Sequence, residues 1–255
     1  MNLSMKGILA DAYKSGSQKA KNVTETWGAE NFYCPNCSSP KLDWLKPGTK
    51  AKDYRCPCCG FWYQLKSQKI RIGNSITDGA YCAMMEAIRN DETPSFYFLH
   101  YDLATWSVRN LLLVPHFAFP PSAIIKRKPL SPKARRAGWI GCNFDLNRIP
   151  IDARIPIVAE SKIMPVKEVR EKFQRVKPLK EISVKERGWT LDVLNIVRRI
   201  GKREFTNDDV YVFTRELEKL HPDNRHIKDK IRQQLQVLRD TGLLLHVGSG
   251  VWRLP

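Results

Sequence analysis

The chain has 255 residues, with 43 Lys and Arg against 26 Asp and Glu and a formal net charge of +17 at neutral pH. Hydrophobic residues make up 42% and charged residues 27%, a globular balance that excludes extensive disorder and fits one large domain or two modest ones. No apolar run is long enough to span a bilayer and residues 1–11 lack the apolar core of a secretory leader, so a cytoplasmic protein without a membrane partner is expected. A cationic surplus of this size points to a polyanionic partner, most often nucleic acid.

Residues 5–28 are expected to form one helix, because Leu9, Ala12, Tyr13, Ala20, Val23 and Trp27 recur roughly on one face. A cysteine-rich stretch, 34–59, follows, with Pro35, Pro40, Pro47 and Gly48 interrupting regular structure. Residues 61–66 read as a strand. Ser75 with Asp78 three positions on resembles a helix opening, and Ala80, Ala83, Met84, Ala87 and Ile88 supply the apolar face of that helix. Residues 96–101, 110–114 and 155–159 are strand candidates, rich in apolar and aromatic side chains. Strands alternating with helices predict a mixed α/β domain.

The stretch 166–180 is mostly charged and is expected to be a linker or connecting helix. A boundary near Ile182 divides the chain into domains 1–182 and 183–255. In the second, Thr190 is expected to cap a helix running to Ile200. Thr206 and Asp209 form a capping-box pattern opening a helix to Leu220, and a third helix spans 225–240, stopped by Gly242. Residues 243–247 and 251–254 then pair as a hairpin around Gly248-Ser249-Gly250. Three helices and a hairpin in this order make a winged helix, whose third helix enters the major groove.

Five of the seven cysteines lie between Cys34 and Cys59, an odd and clustered set unlike a secreted disulfide framework. Cys34-Pro-Asn-Cys37 and Cys56-Pro-Cys58-Cys59 give two CxxC turns, each able to set two thiolates on one ion. Cys34, Cys37, Cys56 and Cys59 are therefore the expected zinc ligands, since adjacent Cys58 and Cys59 chelate poorly. Four thiolates close the coordination sphere, which makes the zinc structural. Cys82 and Cys142 are expected to be packing residues.

Asp53 precedes the second CxxC, and Gln64-Leu65-Lys66 ends the next strand. Residues two apart on a strand share a face, so Gln64 and Lys66 project together, and a hairpin would bring Asp53 beside them. A carboxylate, a carbonyl oxygen and an ammonium so gathered can hold Mg²⁺ and orient a water for attack on phosphorus. Spacing alone leaves open that these are ordinary surface groups.

Asp53 with Gln64-Leu65-Lys66 resembles the PD-(D/E)xK nuclease motif threaded through a zinc site. Longer strings carry the resemblance further: Tyr13-Lys14-Ser15, Ser17-Gln18-Lys19-Ala20, Tyr33-Cys34-Pro35-Asn36-Cys37, Asp78-Gly79-Ala80-Tyr81, PKARRAGWIGCN at 132–143 and IKDKIRQQLQVLRD at 227–240. Together they are similar to the methyl-directed restriction endonucleases of the DpnI family, over nearly the whole chain. The resemblance implies an α/β, mixed-sheet PD-(D/E)xK nuclease core with an inserted four-cysteine zinc site, followed by a winged helix. It implies a bacterial, Mg²⁺-dependent type II endonuclease that hydrolyses double-stranded DNA containing N6-methyladenine, in GATC, with both domains recognising the methylated duplex and no obligate protein partner. Asp53, Gln64 and the Leu65 carbonyl would then hold Mg²⁺, and Lys66 would activate the water. One departure stands out. The family pattern has Glu where this chain has Gln64, which keeps an oxygen donor but loses a charge, so a weaker hold on Mg²⁺ is expected.

Two segments are candidates for reading DNA. Arg135, Arg136 and Trp139 could grip phosphates and offer a flat apolar wall to an adenine methyl; the alternative is a core-plugging indole beside solvated arginines. On the third C-terminal helix, Ile227, Ile231, Leu235 and Leu238 form the buried stripe. Asn224, Arg225, Lys228, Arg232 and Gln233 lie towards its leading end and outer side, with Ser249 at the hairpin tip; an ordinary solvated face is the alternative. At the level of function, the rivals are a non-catalytic methyl-DNA-binding regulator and a nuclease for junctions or RNA.

Overall fold

The computed structural model describes residues 1–45 and 51–255; the expected breaks at Pro47 and Gly48 lie outside them. In chain order the regular elements are α1 (Gly16–Asn31), β1 (Asp43–Trp44), β2 (Tyr54–Arg55), β3 (Trp62–Gln68), β4 (Ser75–Ala80), α2 (Tyr81–Arg89), β5 (Ser95–Asp102), β6 (Ser107–Val114), β7 (Ile124–Lys126), β8 (Gly141–Asp145), β9 (Ile155–Ala159), β10 (Lys162–Ile163), α3 (Val166–Val176), α4 (Val184–Ile200), β11 (Glu204–Thr206), α5 (Asn207–Tyr211), α6 (Thr214–Leu220), α7 (Ile227–Asp240), β12 (Leu245–Gly248) and β13 (Val251–Arg253). They fall into two compact units. One takes in Met1–Gly73, Pro94–His116 and Ala153–Gln174, the other Asn74–Thr93, Phe117–Asp152 and Arg175–Pro255.

The first unit is built on a mixed seven-stranded sheet in the order β1-β2-β3-β5-β6-β9-β10. Only β3 and β5 run parallel, from Tyr63↔Ser95 to Gln68↔His100; the other neighbours are antiparallel. β5 is its centre, and Ser95–Leu99 are all buried, as a strand covered on both faces requires. α1 lies against this sheet. Its buried residues are Val23, Thr24, Trp27 and Gly28, and Phe32 just beyond it stacks on Tyr97 at 4.2 Å and meets Tyr54 edge-on at 5.1 Å. Gly28 permits the close approach, because a Cβ there would lie 2.4 Å from the Tyr54 hydroxyl.

The expected helix over 5–28 is two pieces. Gly7–Ala10 form a 3-10 turn and α1 starts at Gly16 after Ser15, which is extended at φ −76° and ψ 129°. Asn22 donates to the Leu9 carbonyl at 3.1 Å, so the turn folds back on the helix instead of extending it.

In the second unit, β4, β8 and β7 form a three-stranded antiparallel sheet packed by α2. Ser75 and Asp78 therefore sit within a strand and open no helix. Ile76 is the buried side chain of β4, paired with Phe144, while Ser75 and Thr77 face solvent. The expected apolar face forms only in part, on a helix from Tyr81: Met84 and Ile88 are buried, Ala87 is half-buried, Ala83 is exposed and Ala80 stays in β4.

α4 starts earlier than Thr190 suggests. Ser183 caps it, accepting from the Glu186 N–H at 3.4 Å, and Thr190 is buried mid-helix donating to Gln234 Oε1 at 2.6 Å. Buried polar residues of α4 tie it to the rest of this unit. Asp192 accepts from Ser122 Oγ at 2.6 Å and meets His221 Nε2 at 2.9 Å, Asn195 donates to the Asn147 carbonyl at 2.8 Å, and Arg198 pairs with Asp152. The Thr206–Asp209 capping box forms in full, but the helix it opens breaks into α5 and α6. α7 buries Ile227, Ile231, Gln234, Leu235 and Leu238, and Gly242, at φ 75°, follows its end. β12 and β13 make the expected hairpin, and β11 adds a third strand in the order β11-β13-β12. This is the helix-turn-helix with its wing.

Candidate functional site

The two cysteine turns converge. The Sγ atoms of Cys34, Cys37, Cys56 and Cys59 all lie within 4.8 Å of one another, with Cys34 and Cys59 at 3.6 Å and Cys37 and Cys56 at 3.5 Å. Sulfurs bound tetrahedrally at about 2.3 Å from zinc sit roughly 3.8 Å apart, so the cage fits that ion. Cys58 is exposed and outside the group, as expected; Cys82 is exposed too, against the expectation that it packs, and Cys142 is buried. Gly60, at φ 74°, closes the second turn with a 3.0 Å bond to the Cys56 carbonyl. Burial opposes ionisation of Cys56, but hydrogen bonds from the backbone N–H groups of Cys59 and Cys58 and from the Cys59 and Cys37 thiols together outweigh it and bring the thiol down to about 7. Burial pushes the Cys34 thiol up, a penalty that a bound cation would remove. α3 braces the first turn: Arg170 donates to the Cys34 carbonyl at 3.2 Å and the Ser39 carbonyl at 3.1 Å, and Gln174 to the Asn36 carbonyl at 2.7 Å.

The cysteine cage and Asp53 are mechanically one piece, because β2 joins Asp53 directly to Cys56. The Asp53 N–H donates to the Tyr63 carbonyl at 2.9 Å, and its Oδ2 accepts from the Leu65 N–H at 2.8 Å. That bond fastens the carboxylate to the middle of Gln64-Leu65-Lys66. On β3 burial alternates: Tyr63 and Leu65 face the core, while Trp62, Gln64 and Lys66 share the other, half-open face. Burial raises the Asp53 carboxyl, against the Leu65 N–H and the Lys66 and Lys21 ammoniums. Asp53, Leu65 and Lys66 are thus together, with Gln64 on the Lys66 face.

Glu25, which sequence reasoning does not single out, joins this group. It lies on α1, 3.7 Å from Lys21 and largely buried. Its carboxyl is raised to about 7, first by burial and then by the Asp53 charge. Tyr54, the residue after Asp53, donates to the Glu25 carbonyl at 2.8 Å, and Thr24 donates to Ser67 on β3 at 3.1 Å. These bonds fix the helix against the strand. The only sequence signal is the Lys21–Glu25 spacing of four, which any helix surface carries. Two carboxylates this close, with Lys21 and Lys66 beside them, form an oxygen-donor set of the kind a hard divalent cation takes.

The candidate DNA readers lie in the other unit. Trp139 is half-exposed, with the Arg136 guanidinium 4.7 Å from its ring, while Arg135 and Arg136 are exposed. Its backbone is pinned by Leu130, whose N–H donates to the Trp139 carbonyl at 2.9 Å, and its ring covers Gly141, where a Cβ would meet ring carbons at 2.8 Å. Neither a core plug nor a free side chain, Trp139 is a wall set on a hairpin. On α7 and beside it, Arg225, Lys228, Arg232, Gln233 and Ser249 are exposed. Arg232 pairs with Asp229, Gln233 accepts from Lys230 at 2.8 Å, and Lys228 stands 5.1 Å over the Tyr211 ring. Such exposed pairs contribute little and exchange readily for a phosphate or base edge. Asn224 is different: its Oδ1 accepts from the His226 N–H at 2.7 Å and shapes the turn into α7.

Comparison with protein families gives two matches. The model of the DpnI, Dam-replacing family matches residues 1–182, and that of the Dam-replacing HTH domain matches residues 185–254. Among the described residues no helix is long and apolar enough to cross a membrane.

Proposed function

Because the chain belongs to the DpnI, Dam-replacing family of restriction endonucleases, we propose that it is a Mg²⁺-dependent endonuclease that cuts double-stranded DNA carrying N6-methyladenine, in GATC. Residues 1–182 would carry the cleavage and 183–255 a second reader of the same modification. The observation that supports the chemistry most is the 2.8 Å bond from the Leu65 N–H to Asp53, which holds a half-buried carboxylate beside Lys66.

Asp53, the Gln64 amide oxygen and the Leu65 carbonyl would hold Mg²⁺, which when bound supplies a Lewis acid to the scissile phosphate. Lys66 positions the attacking water and offsets the negative charge growing on phosphorus. The backbone amide of Leu65 keeps the Asp53 carboxylate aimed at that point. Glu25 adds, from α1, negative charge of the kind Gln64 lacks. Zinc in the Cys34, Cys37, Cys56 and Cys59 cage holds β2 and hence Asp53 in place. Trp139 with Arg135 and Arg136 reads the methyl group and grips phosphates. Arg225, Lys228, Arg232, Gln233 and Ser249 do so for the winged helix, with Asn224 shaping the entry to α7. The charge surplus supplies salt-dependent affinity.

Gln64 favours a second reading, a non-catalytic binder of methylated DNA. Nicking of methylated plasmid in Mg²⁺ by the unaltered protein and by Asp53→Asn and Lys66→Met variants separates the two. We expect cleavage by the first and a loss of about 10²-fold or more in each variant, with gel shifts retained. Methyl-dependent shifts without any nicking by the unaltered protein would leave the binder.

A further inference from the structure

Trp62 is the first residue of β3 and shares its face with Gln64 and Lys66. Two cations are gathered on its ring: Lys52 Nζ is 4.6 Å from the centroid and the Arg55 guanidinium 4.9 Å. Arg55 faces Trp62 directly across the β2–β3 ladder, so strand register and not a flexible stem puts it there. Arg55 is exposed, and Lys52 and Trp62 are half-exposed.

Among the described residues neither cation has a carboxylate at ion-pair distance. Other arginines of the same unit do, Arg71 with Glu160 at 3.0 Å and Arg109 with Asp102 at 2.9 Å. The ring's quadrupole offsets part of the repulsion between the two charges, but an anion between them offsets far more. Trp62 lies two residues before Gln64 on β3, an advance of about 6.7 Å, so an anion held over it would lie on the same strand face as Lys66, and in a chain with a +17 surplus the fitting anion is a nucleic-acid phosphate.

We propose that Lys52, Trp62 and Arg55 form a clasp for the DNA backbone, the two cations taking a phosphate one or two nucleotides from the scissile linkage while the indole packs on the adjoining sugar. The clasp rests on the endonuclease reading for which strand is cut, but its grip on DNA is a binding event that cleavage need not accompany. Its residues position DNA and touch no reacting atom.

The test is the salt dependence of binding to a short methylated duplex in buffer free of Mg²⁺, for the intact chain and for Lys52→Ala, Arg55→Gln, Arg55→Lys and Trp62→Leu. Each phosphate that is no longer neutralised lowers the slope of log affinity against log salt by about 0.9. We expect Lys52→Ala and Arg55→Gln each to lower the slope by part of that amount, the double variant by all of it, each weakening binding severalfold, and Arg55→Lys to keep the slope. In Mg²⁺ Lys52→Ala, Arg55→Gln and Trp62→Leu should raise KM and leave kcat at saturating DNA unchanged, with Arg55→Lys close to the parent and zinc content equal in all. Unchanged slopes in both charge-removing variants would overturn the clasp. So would lost zinc or a lower unfolding temperature with the slope intact, which would make the trio a brace for the hairpin. Methylated plasmid cut normally with all slopes equal removes the clasp and keeps the endonuclease. No cleavage by the parent with a lower slope in Arg55→Gln does the reverse.

Discussion

At Gln64 one side-chain atom separates an amide from the carboxylate that the family pattern carries, and the loss of charge is set against a second carboxylate, Glu25, close enough to feel Asp53. Gln64→Glu keeps the shape of the site and restores the charge. The Mg²⁺ concentration for half-maximal cleavage should fall roughly tenfold, because charge count sets the affinity of oxygen sites; an unchanged titration would show that Gln64 is no ligand. A second prediction concerns Gly141, which itself touches no DNA in the proposed complex. An added Cβ would meet the Trp139 ring at 2.8 Å, and the ring, being the end of a side chain, would be the part that moves. Gly141→Ala should therefore narrow the preference for methylated over unmethylated duplex, by an amount within the roughly 10–200-fold that one methyl in an apolar pocket supplies. Competition binding reads it. A preference equal to the parent's would mean that Trp139 does not meet the methyl group.

At the scale of elements, the cysteine cage is what turns two-residue strands into a support for Asp53. β1 and β2 are too short to hold register alone. Zinc removal by chelation, or Cys37→Ser, should lower the unfolding temperature and abolish cleavage together, with one zinc per chain measured in the parent; full cleavage by zinc-free protein would contradict this. In the wing, Thr206→Ala should cost about 1 kcal/mol by removing one half of the capping box, measured by denaturant unfolding. Its partner Asp209 is held at about 2, first by Lys202 and then by the Thr206 N–H. Because the folded value is depressed, that support is present above the ordinary carboxylate range and is lost as pH falls from about 4 towards 2. The protection of the Thr206 amide, measured as the slowing of its exchange relative to an unprotected amide at the same pH, should fall over that interval.

The sequence is legible wherever the determinant is local. CxxC spacing, the apolar stripe of α7, the capping box and the strand at Ile155–Ala159 need only a few neighbouring residues. It misleads where a long-range partner decides. Ser75–Asp78 carries the polar pattern of a helix start, yet pairing with β8 makes it a strand. Thr190 looks like a cap, yet Gln234 takes its hydroxyl in the core. Glu25 is one acidic residue among many on helix surfaces until α1 is laid across β3.

At the scale of the molecule, the helix-turn-helix is not strung loosely behind the sheet of β4, β8 and β7. α4 is joined to it through Arg198 and Asp152, Asp192 and Ser122, and Asn195 and the Asn147 carbonyl. Asp152 is almost wholly buried, so Asp152→Ala leaves the Arg198 charge unpaired and should destabilise this unit by about 3 kcal/mol. Calorimetry should show it in the transition of the unit that contains α4, with zinc content unchanged. The net charge of +17 makes binding of any DNA strong at low salt, so affinity alone distinguishes none of the readings and the decisive quantity is a ratio of cleavage. One plasmid prepared with and without adenine methylation, digested in Mg²⁺ at physiological salt, gives it. Discrete fragments from the methylated plasmid and none from the other are expected of a methyl-directed endonuclease; equal cutting of both, or intact DNA in both, would contradict that function.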